Sequence, residues 1–127
     1  MQYDEFITKV AQGAAVPREE AEALTAATLR TLAERISRGE AEDLAAQLPE
    51  ELKGYLARPG EEAEPFGLDE FVRRVAERAG TDSDQAFAHV GAVFATLREA
   101  VTSGELDDIA AQLPEELRGL IGVRPRG

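Results

Sequence analysis

The chain contains one sequence unit twice, and this internal repeat limits its possible folds more than any other feature. When the chain is aligned with itself at an offset of 65 residues, 24 of 53 residue pairs are identical. The alignment runs without a gap from Asp4 and Asp69 to Leu56 and Ile121. Because a repeated sequence encodes a repeated structural unit, we expect two similar halves.

Apolar residues at helical spacing occur throughout each unit. The first segment has an apolar stripe at positions i, i+1, i+4, i+5 and i+8, which predicts an amphipathic helix. Asp4 and Asp69 lie near its N-terminal end, where the helix dipole favours negative charge. The stripe consists of Phe6, Ile7, Val10, Ala11 and Ala14, which recur as Phe71, Val72, Val75, Ala76 and Ala79.

A longer second helix follows in each unit. Pro17 predicts its start in the first unit, and Thr81 with Asp84 has capping-box spacing in the second. We expect about six turns, ended by Gly39 or Gly104 as a left-handed cap. Its apolar stripe consists of Leu29, Leu32 and Ile36 in one unit and Phe94, Leu97 and Val101 in the other, extended by Phe87 and Val90.

Two short helices complete each unit. The third helix ends before Pro49 or Pro114, since a residue before proline avoids helical geometry, and the fourth begins at that proline. No segment alternates between apolar and polar residues as a strand does, so the sequence predicts an all-α fold. The residues predicted to face inward are Leu44, Leu48, Leu52, Tyr55 and Leu56, with Ile109, Leu113, Leu117, Leu120 and Ile121 in the second unit.

These elements define one all-α domain over residues 1–127, a tandem duplication of a unit of roughly four helices. Repeat one spans residues 3–56 and repeat two spans residues 68–121. Residues 57–67 are predicted to form a connector that ranges from ordered to mobile. Residues 122–127 are predicted to form a frayed tail. A unit of roughly 55 residues buries too little surface to be stable alone. We therefore expect a shared core about a pseudo-twofold axis, with the long second helices packed together.

The most specific motif is the octapeptide Ala45–Leu52, which recurs unchanged as Ala110–Leu117. Two other features occur in both units: the Asp-Glu-Phe start of the first helix and the Gly-Glu pair after the second helix. Together they resemble the bacterial domain-of-unknown-function family 2267, whose units also occur in pairs. The resemblance extends from Tyr3 to Ile121, and it implies no activity, cofactor or catalytic residue.

The composition excludes several chemistries. The chain has no cysteine and one histidine, His89, which excludes disulfides, thiol nucleophiles, cysteine zinc sites and sites with several histidines. It lacks the roughly 18-residue apolar run that a membrane span needs, and its N-terminus lacks the basic start of a signal peptide. We expect a cytoplasmic protein without a cofactor.

Acidic residues outnumber basic residues by 25 to 14, which gives a net charge of −11. This charge repels phosphate groups, so we expect neither nucleic acid nor a membrane surface as a partner. No serine lies in a Gly-x-Ser-x-Gly motif, and neither lysine lies in a phosphate-binding loop. The sequence therefore contains no known catalytic motif.

His89 and two acidic groups are candidate functional residues. His89 occupies the position that Leu24 has in the first unit, which predicts a partly buried packing role rather than a catalytic one. The acidic groups are predicted to start the third helix, where negative charge is favoured; binding of a hard cation is the alternative. Their members are Glu40, Glu42 and Asp43 in one unit and Glu105, Asp107 and Asp108 in the other.

The duplicated turn between the third and fourth helices is the candidate interaction surface, formed by Gln47, Glu50, Gln112 and Glu115. Helix initiation explains the proline and glutamate residues of this turn. It does not explain Gln47 and Gln112, which we expect to be exposed. Each amide either binds a partner or braces the turn.

These features favour a non-catalytic interaction or regulatory module that binds an unidentified protein. One alternative is a small-molecule or metal-binding protein, with or without enzymatic activity, whose site lies in a groove between the repeats. Another is an acidic mimic that competes with nucleic acid for a basic protein surface. The sequence indicates no particular oligomeric state.

Overall fold

The computed structural model of the chain describes residues 1–57 and 60–122. Over these ranges the chain is helical and contains no strand, which confirms the all-α prediction. Within the same ranges, no helix is both long enough and apolar enough to cross a membrane. The elements are α1 (Tyr3–Ala14), α2 (Arg18–Arg35), α3 (Arg38–Ala46), α4 (Glu50–Lys53), the 3₁₀ helix η1 (Gly54–Leu56), α5 (Leu68–Ala79), α6 (Ser83–Ala100), α7 (Ser103–Ala111) and α8 (Glu115–Ile121).

The helices of the second half follow those of the first at a constant spacing. Helices α5, α6 and α7 begin and end 65 residues after α1, α2 and α3. The halves differ at the fourth helix, since α4 continues into η1 whereas α8 is a single helix. The offset between the repeated sequences is thus also the offset between the helices.

The second helix of each half ends earlier than we predicted. Helix α2 ends at Arg35 and α6 at Ala100, so each has 18 residues, or about five turns. Gly39 and Gly104 lie in the first turn of the following helix, and neither has a positive φ. The prediction that these glycines form left-handed caps was therefore wrong.

Side-chain caps explain this difference. Ser37 Oγ accepts a hydrogen bond from the N–H of Glu40, and Thr102 Oγ1 accepts one from the N–H of Glu105. These bonds satisfy N–H groups that the first turn of a helix leaves unpaired. A new helix therefore starts one residue before each glycine, directly after the capping residue.

The helix starts also differ in detail from the prediction. Pro17 is the residue before α2 rather than its first residue. Asp82, and not Thr81, caps α6, because its Oδ1 accepts a hydrogen bond of 2.8 Å from the N–H of Gln85. Aspartate is among the strongest N-cap residues, which accounts for the choice.

Each half packs its first helix against the second helix of the other half. Helix α5 lies along α2 and α1 lies along α6, and both contacts are more extensive than the contact between α2 and α6. The expected packing of the two long helices is therefore a minor part of the junction. A methyl group placed on Gly13 would lie 3.1 Å from Cβ of Ala92, which shows how closely α1 approaches α6. Buried residues of both halves form one hydrophobic cluster.

The residues predicted to form the stripe of the second helix are buried, with one exception. Ala86 and Val90 are fully buried, whereas Phe87 is 53% exposed. Successive residues of an α-helix are about 100° apart, so a residue next to the buried face points towards solvent. The assignment of Phe87 to the stripe was wrong. The residues that are buried as predicted are Leu29, Leu32, Ile36, Val90, Phe94, Leu97 and Val101.

Helix α2 is buried on most of its surface although it contains several threonines. The hydroxyl groups of Thr28 and Thr31 donate hydrogen bonds to the carbonyl groups of Leu24 and Ala27, one turn earlier. These bonds avoid the cost of burying an unpaired hydroxyl group. Helix α2 can therefore lie between α1, α5 and α6 without a surface made only of large apolar residues.

The described part of the connector is hydrogen-bonded to α2. The N–H of Glu64 donates a hydrogen bond of 2.8 Å to the carbonyl of Glu34, and Arg35 Nε donates one of 2.7 Å to the carbonyl of Phe66. The guanidinium of Arg74 lies 4.1 Å from the centre of the Phe66 ring. These contacts hold the described part of the connector against α2 and α5. Residues 58–59 of the connector and 123–127 of the predicted frayed tail lie outside the described residues.

Ion pairs join α5 to the same part of α2. Glu34 pairs with Arg78 at 2.7 Å and with Arg74 at 3.1 Å. Hydrogen bonds from Arg78, followed by those from Arg74, lower the pKa of Glu34 from its ordinary value. The carboxylate of Glu34 is thus charged at neutral pH and connects the two halves.

Helices α1 and α5 end at equivalent residues with left-handed backbone. The φ angle is 56° at Ala15 and 72° at Gly80. A residue with a Cβ atom pays roughly 1–2 kcal/mol for this conformation, whereas glycine adopts it readily. Ala15 therefore stores a strain that Gly80 lacks.

We expect Ala15→Gly to raise the free energy of unfolding by about 0.5–1 kcal/mol, because the relief of strain exceeds the added entropy of the unfolded chain. Gly80→Ala should lower it by a similar amount, since a Cβ atom there meets no described atom within 4 Å and only the backbone is strained. Urea denaturation measures both values. Changes of the same sign in the two variants would contradict this explanation.

Candidate functional site

The glutamines of the predicted interaction surface lie half-buried at the junction between the halves. Gln112 Oε1 accepts a hydrogen bond of 2.6 Å from the N–H of Ser37, and its Nε2 donates one of 3.1 Å to Ser37 Oγ. Gln47 Oε1 accepts a hydrogen bond of 2.8 Å from the N–H of Thr102. The two contacts are reciprocal, because the participating positions are 65 residues apart. The expectation that both amides are exposed was wrong.

The remaining residues of that surface are exposed. Glu50 and Glu115 lie in the first turns of α4 and α8, and Glu50 forms an ion pair of 3.4 Å with Lys53. The amide of each glutamine binds the residue that caps the third helix of the other half, so it links the two halves instead of bracing its own turn. A contact of the exposed glutamates with another molecule stays a prediction.

We expect Gln112→Ala to lower the free energy of unfolding by about 2 kcal/mol, because it removes two hydrogen bonds at a partly buried position. Gln47→Ala is the matched variant, and it should cost about 1 kcal/mol or less, since it removes one bond, from the exposed residue Thr102. Chemical denaturation compares the two. A larger loss for Gln47→Ala would refute the assignment of these braces.

The two predicted acidic groups contribute to one cluster between α3 and α7. Glu40, Asp43 and Glu105 each place a carboxylate oxygen within 4.8 Å of those of the other two. Of the other predicted members, Glu42 is exposed and pairs with Arg38 on its own helix at 3.3 Å. The cluster thus combines residues of both halves, which the sequence places in two separate groups. We call Glu40, Asp43 and Glu105 the carboxylate cluster.

Glu105 is the most unusual member of the carboxylate cluster. It is 5% exposed, and its Oε1 has no hydrogen-bond partner among the described residues. Burial, followed by the charges of nearby carboxylates, raises the pKa of Glu105 to about 7. Burial and the same kind of repulsion raise the pKa of Glu40. The carboxylates that act on Glu105 belong to Glu40, Asp43 and Asp108.

The raised pKa of Glu105 predicts a dependence of stability on pH. The ordinary value is 4.5 and the folded value is about 7, so unfolding releases a proton between these pH values. The folded state therefore loses stability as pH rises from about 4.5 to 7, and the loss is complete above that window. In the presence of a chelator, Glu105→Gln should match the wild type near pH 4.5 and exceed its stability at pH 8.

Thermal denaturation at several pH values measures this difference. Glu42→Gln is the control, because it removes a charge from an exposed position of α3 outside the carboxylate cluster. Its stability relative to the wild type should not change across the window. A pH-independent difference between Glu105→Gln and the wild type would show that Glu105 titrates normally.

A groove forms where the corner between α1 and α2 meets the corner between α5 and α6. Its volume is about 280 Å³. Equivalent positions face it from both halves, with Leu24 on one side and His89 on the other. His89 is half-buried, in keeping with the packing role predicted from Leu24. The groove is lined by Val16, Glu19, Glu20, Ala23 and Leu24 of the first half and Ala79, Gly80, Thr81, Gln85, Ala86 and His89 of the second.

From the sequence, a groove between the repeats was an alternative without any lining residues. Its walls come from two helix corners that are far apart in the chain, and only the packing of the halves brings them together. One sequence signal is relevant: the pairs Leu24/His89 and Glu20/Gln85 are equivalent positions at which the two units differ in polarity or charge. Such differences are expected where the two copies line one site.

The fold and these sites define a small all-α protein with two candidate binding sites, both between its halves. The chain belongs to the family described as "Uncharacterized conserved protein (DUF2267)", which matches residues 3–120. This match confirms the family resemblance found from the repeated motif. Comparison with curated proteins finds no match. The family description assigns no activity.

Proposed function

We propose that this protein is a non-catalytic interaction module that binds a basic side chain of a partner protein in the groove between its halves. The observation behind this proposal is the chemistry of the groove. Ala23, Leu24 and Ala86 provide apolar contacts, and Glu19 and Glu20 provide negative charge. Lysine and arginine side chains combine an apolar stem with a cationic head, which suits this arrangement.

The size of the groove supports a side chain rather than a larger ligand. Sites for drug-sized molecules and cofactors usually have volumes of roughly 300–1,000 Å³. At about 280 Å³, the groove lies at the lower end of this range. It has room for one or two side chains that anchor a longer segment on the surface.

The overall charge supports a basic partner. A net charge of −11 attracts basic proteins at long range and repels nucleic acid and anionic lipid. We retain the cytoplasm as the proposed location of the protein and of its partner. The small-molecule alternative requires a compact cationic ligand in the same groove.

Binding of selected peptides tests the proposal. A library of random displayed peptides is selected against the wild-type protein, and the peptides obtained should contain lysine or arginine beside apolar residues. We expect Glu19→Gln/Glu20→Gln to weaken their binding about tenfold, through loss of the charge that faces the cation. Ala23→Trp, at an exposed position, fills the groove and should abolish binding.

The matched control is Glu50→Gln/Glu51→Gln. It changes the same residue pair, in the first turn of a helix that follows a proline, and alters the net charge equally. Its peptide binding should stay within about twofold of the wild type. Equal loss in both double variants would indicate unspecific charge attraction, and loss in the control alone would indicate the turn with Glu50 as the contact surface. A metabolite that raises the melting temperature of the wild type, but not of Ala23→Trp, would favour the small-molecule alternative.

A further inference from the structure

The carboxylate cluster presents a physical problem that its position in the helices does not resolve. Acidic residues are favoured in the first turn of a helix, which accounts for Glu40 in α3 and Glu105 in α7 taken separately. It does not account for carboxylates of two helices meeting within 4.8 Å of one another. Like charges at this distance repel each other, and burial strengthens the repulsion.

The position of Glu105 makes this problem more severe. A buried carboxylate is stable when it is hydrogen-bonded or paired with a cation. Glu105 is 5% exposed, and Oε1 has no hydrogen-bond partner in the described part of the chain. The neighbouring groups that act on it are the carboxylates of Glu40, Asp43 and Asp108, which add negative charge rather than compensate for it. A positive charge at this point would satisfy all of them.

We propose that Glu40, Asp43 and Glu105 bind one hard divalent cation between α3 and α7. Glu105 supplies a ligand from the protein interior, Glu40 is half-buried and Asp43 is exposed, so the site opens to solvent on one side. Water enters on that side and completes the coordination. Asp108 lies close enough to add its charge to the site.

The ligand atoms determine the class of cation. All three protein ligands are carboxylate oxygens, which suit Ca²⁺, Mg²⁺ and Mn²⁺. Calcium binds oxygen at roughly 2.3–2.6 Å, so oxygens on opposite sides of the ion are about 5 Å apart. Oxygens within 4.8 Å of one another fit around such an ion without movement of the helices. Magnesium requires the oxygens to approach more closely, because its bonds are about 2.0–2.1 Å long.

Such a cation would connect the two halves of the protein, because α3 and α7 belong to different halves. It would bind the folded chain far more tightly than the unfolded one, in which Glu105 is distant from Glu40 and Asp43. Binding to the folded state alone raises stability in proportion to the logarithm of the cation concentration. The proposal is independent of the groove, whose residues lie on other helices.

Isothermal titration calorimetry on the full chain tests the proposal. The protein is freed of metal with a chelator and titrated at pH 8 with CaCl₂, MgCl₂ or MnCl₂ in about 0.15 M KCl, which screens diffuse attraction to the acidic surface. We expect one equivalent of at least one cation to bind with Kd below about 1 mM, as in weak carboxylate sites. The same cation should raise the melting temperature.

Two substitutions of equal charge separate the site from the acidic surface. Glu105→Gln should weaken binding at least about tenfold and remove the rise in melting temperature, since affinity depends on the number of charged ligands. Glu42→Gln changes the net charge equally at an exposed position of α3 and should keep Kd within about twofold. Glu40→Gln provides a second ligand variant if Glu105→Gln folds poorly.

Three results would overturn the proposal. The first is that none of the three cations shows saturable binding up to about 10 mM, a concentration above the Kd of even weak carboxylate sites. The second is equal weakening by Glu42→Gln and Glu105→Gln, which would indicate diffuse attraction. The third is binding that neither Glu105→Gln nor Glu40→Gln weakens.

Discussion

The packing of α1 on α6 and of α5 on α2 is the contact on which the rest of the structure depends. Helices α1 and α5 each have one apolar stripe, and the long helix of the opposite half covers much of it. Because the first and second helices are exchanged in this way, buried residues of both halves merge into one cluster. Each half therefore obtains through the other the burial that a chain of roughly 55 residues lacks alone.

The same junction determines where the polar groups meet. Thr28 and Thr31 of helix α2 bond to carbonyl groups of their own helix, which reduces the cost of burying α2 among three helices. The corners after α2 and α6 are braced by Gln112 and Gln47 of the opposite halves. Glu34 adds ion pairs to α5. The glutamine bonds hold the starts of the third helices, and these helices carry the acidic residues that meet between α3 and α7.

The two candidate sites differ in chemistry. The two halves place identical residues in the carboxylate cluster but different residues in the groove. In the carboxylate cluster, Glu40 and Glu105 are identical residues 65 positions apart, so placing the copies side by side necessarily brings like charges together. In the groove, Leu24 faces the site from one half and His89 from the other. These features led us to propose a small ion of opposite charge for the first site and an asymmetric ligand, such as a side chain, for the second.

The sequence by itself determined the helices, most of the buried residues and the family, because apolar spacing, prolines and the repeated octapeptide are local signals. It did not determine the last turn of α2, since the cap at Ser37 competes with Gly39. Tertiary structure alone decided that Phe87 faces solvent and that Gln112 binds Ser37. It also decided that Glu105 is buried whereas Asp107 and Asp108 are exposed. Among the described residues, Oε1 of Glu105 has no hydrogen-bond partner. The burial of a polar side chain depends on which distant helix covers it, and periodicity within one helix contains no information about that.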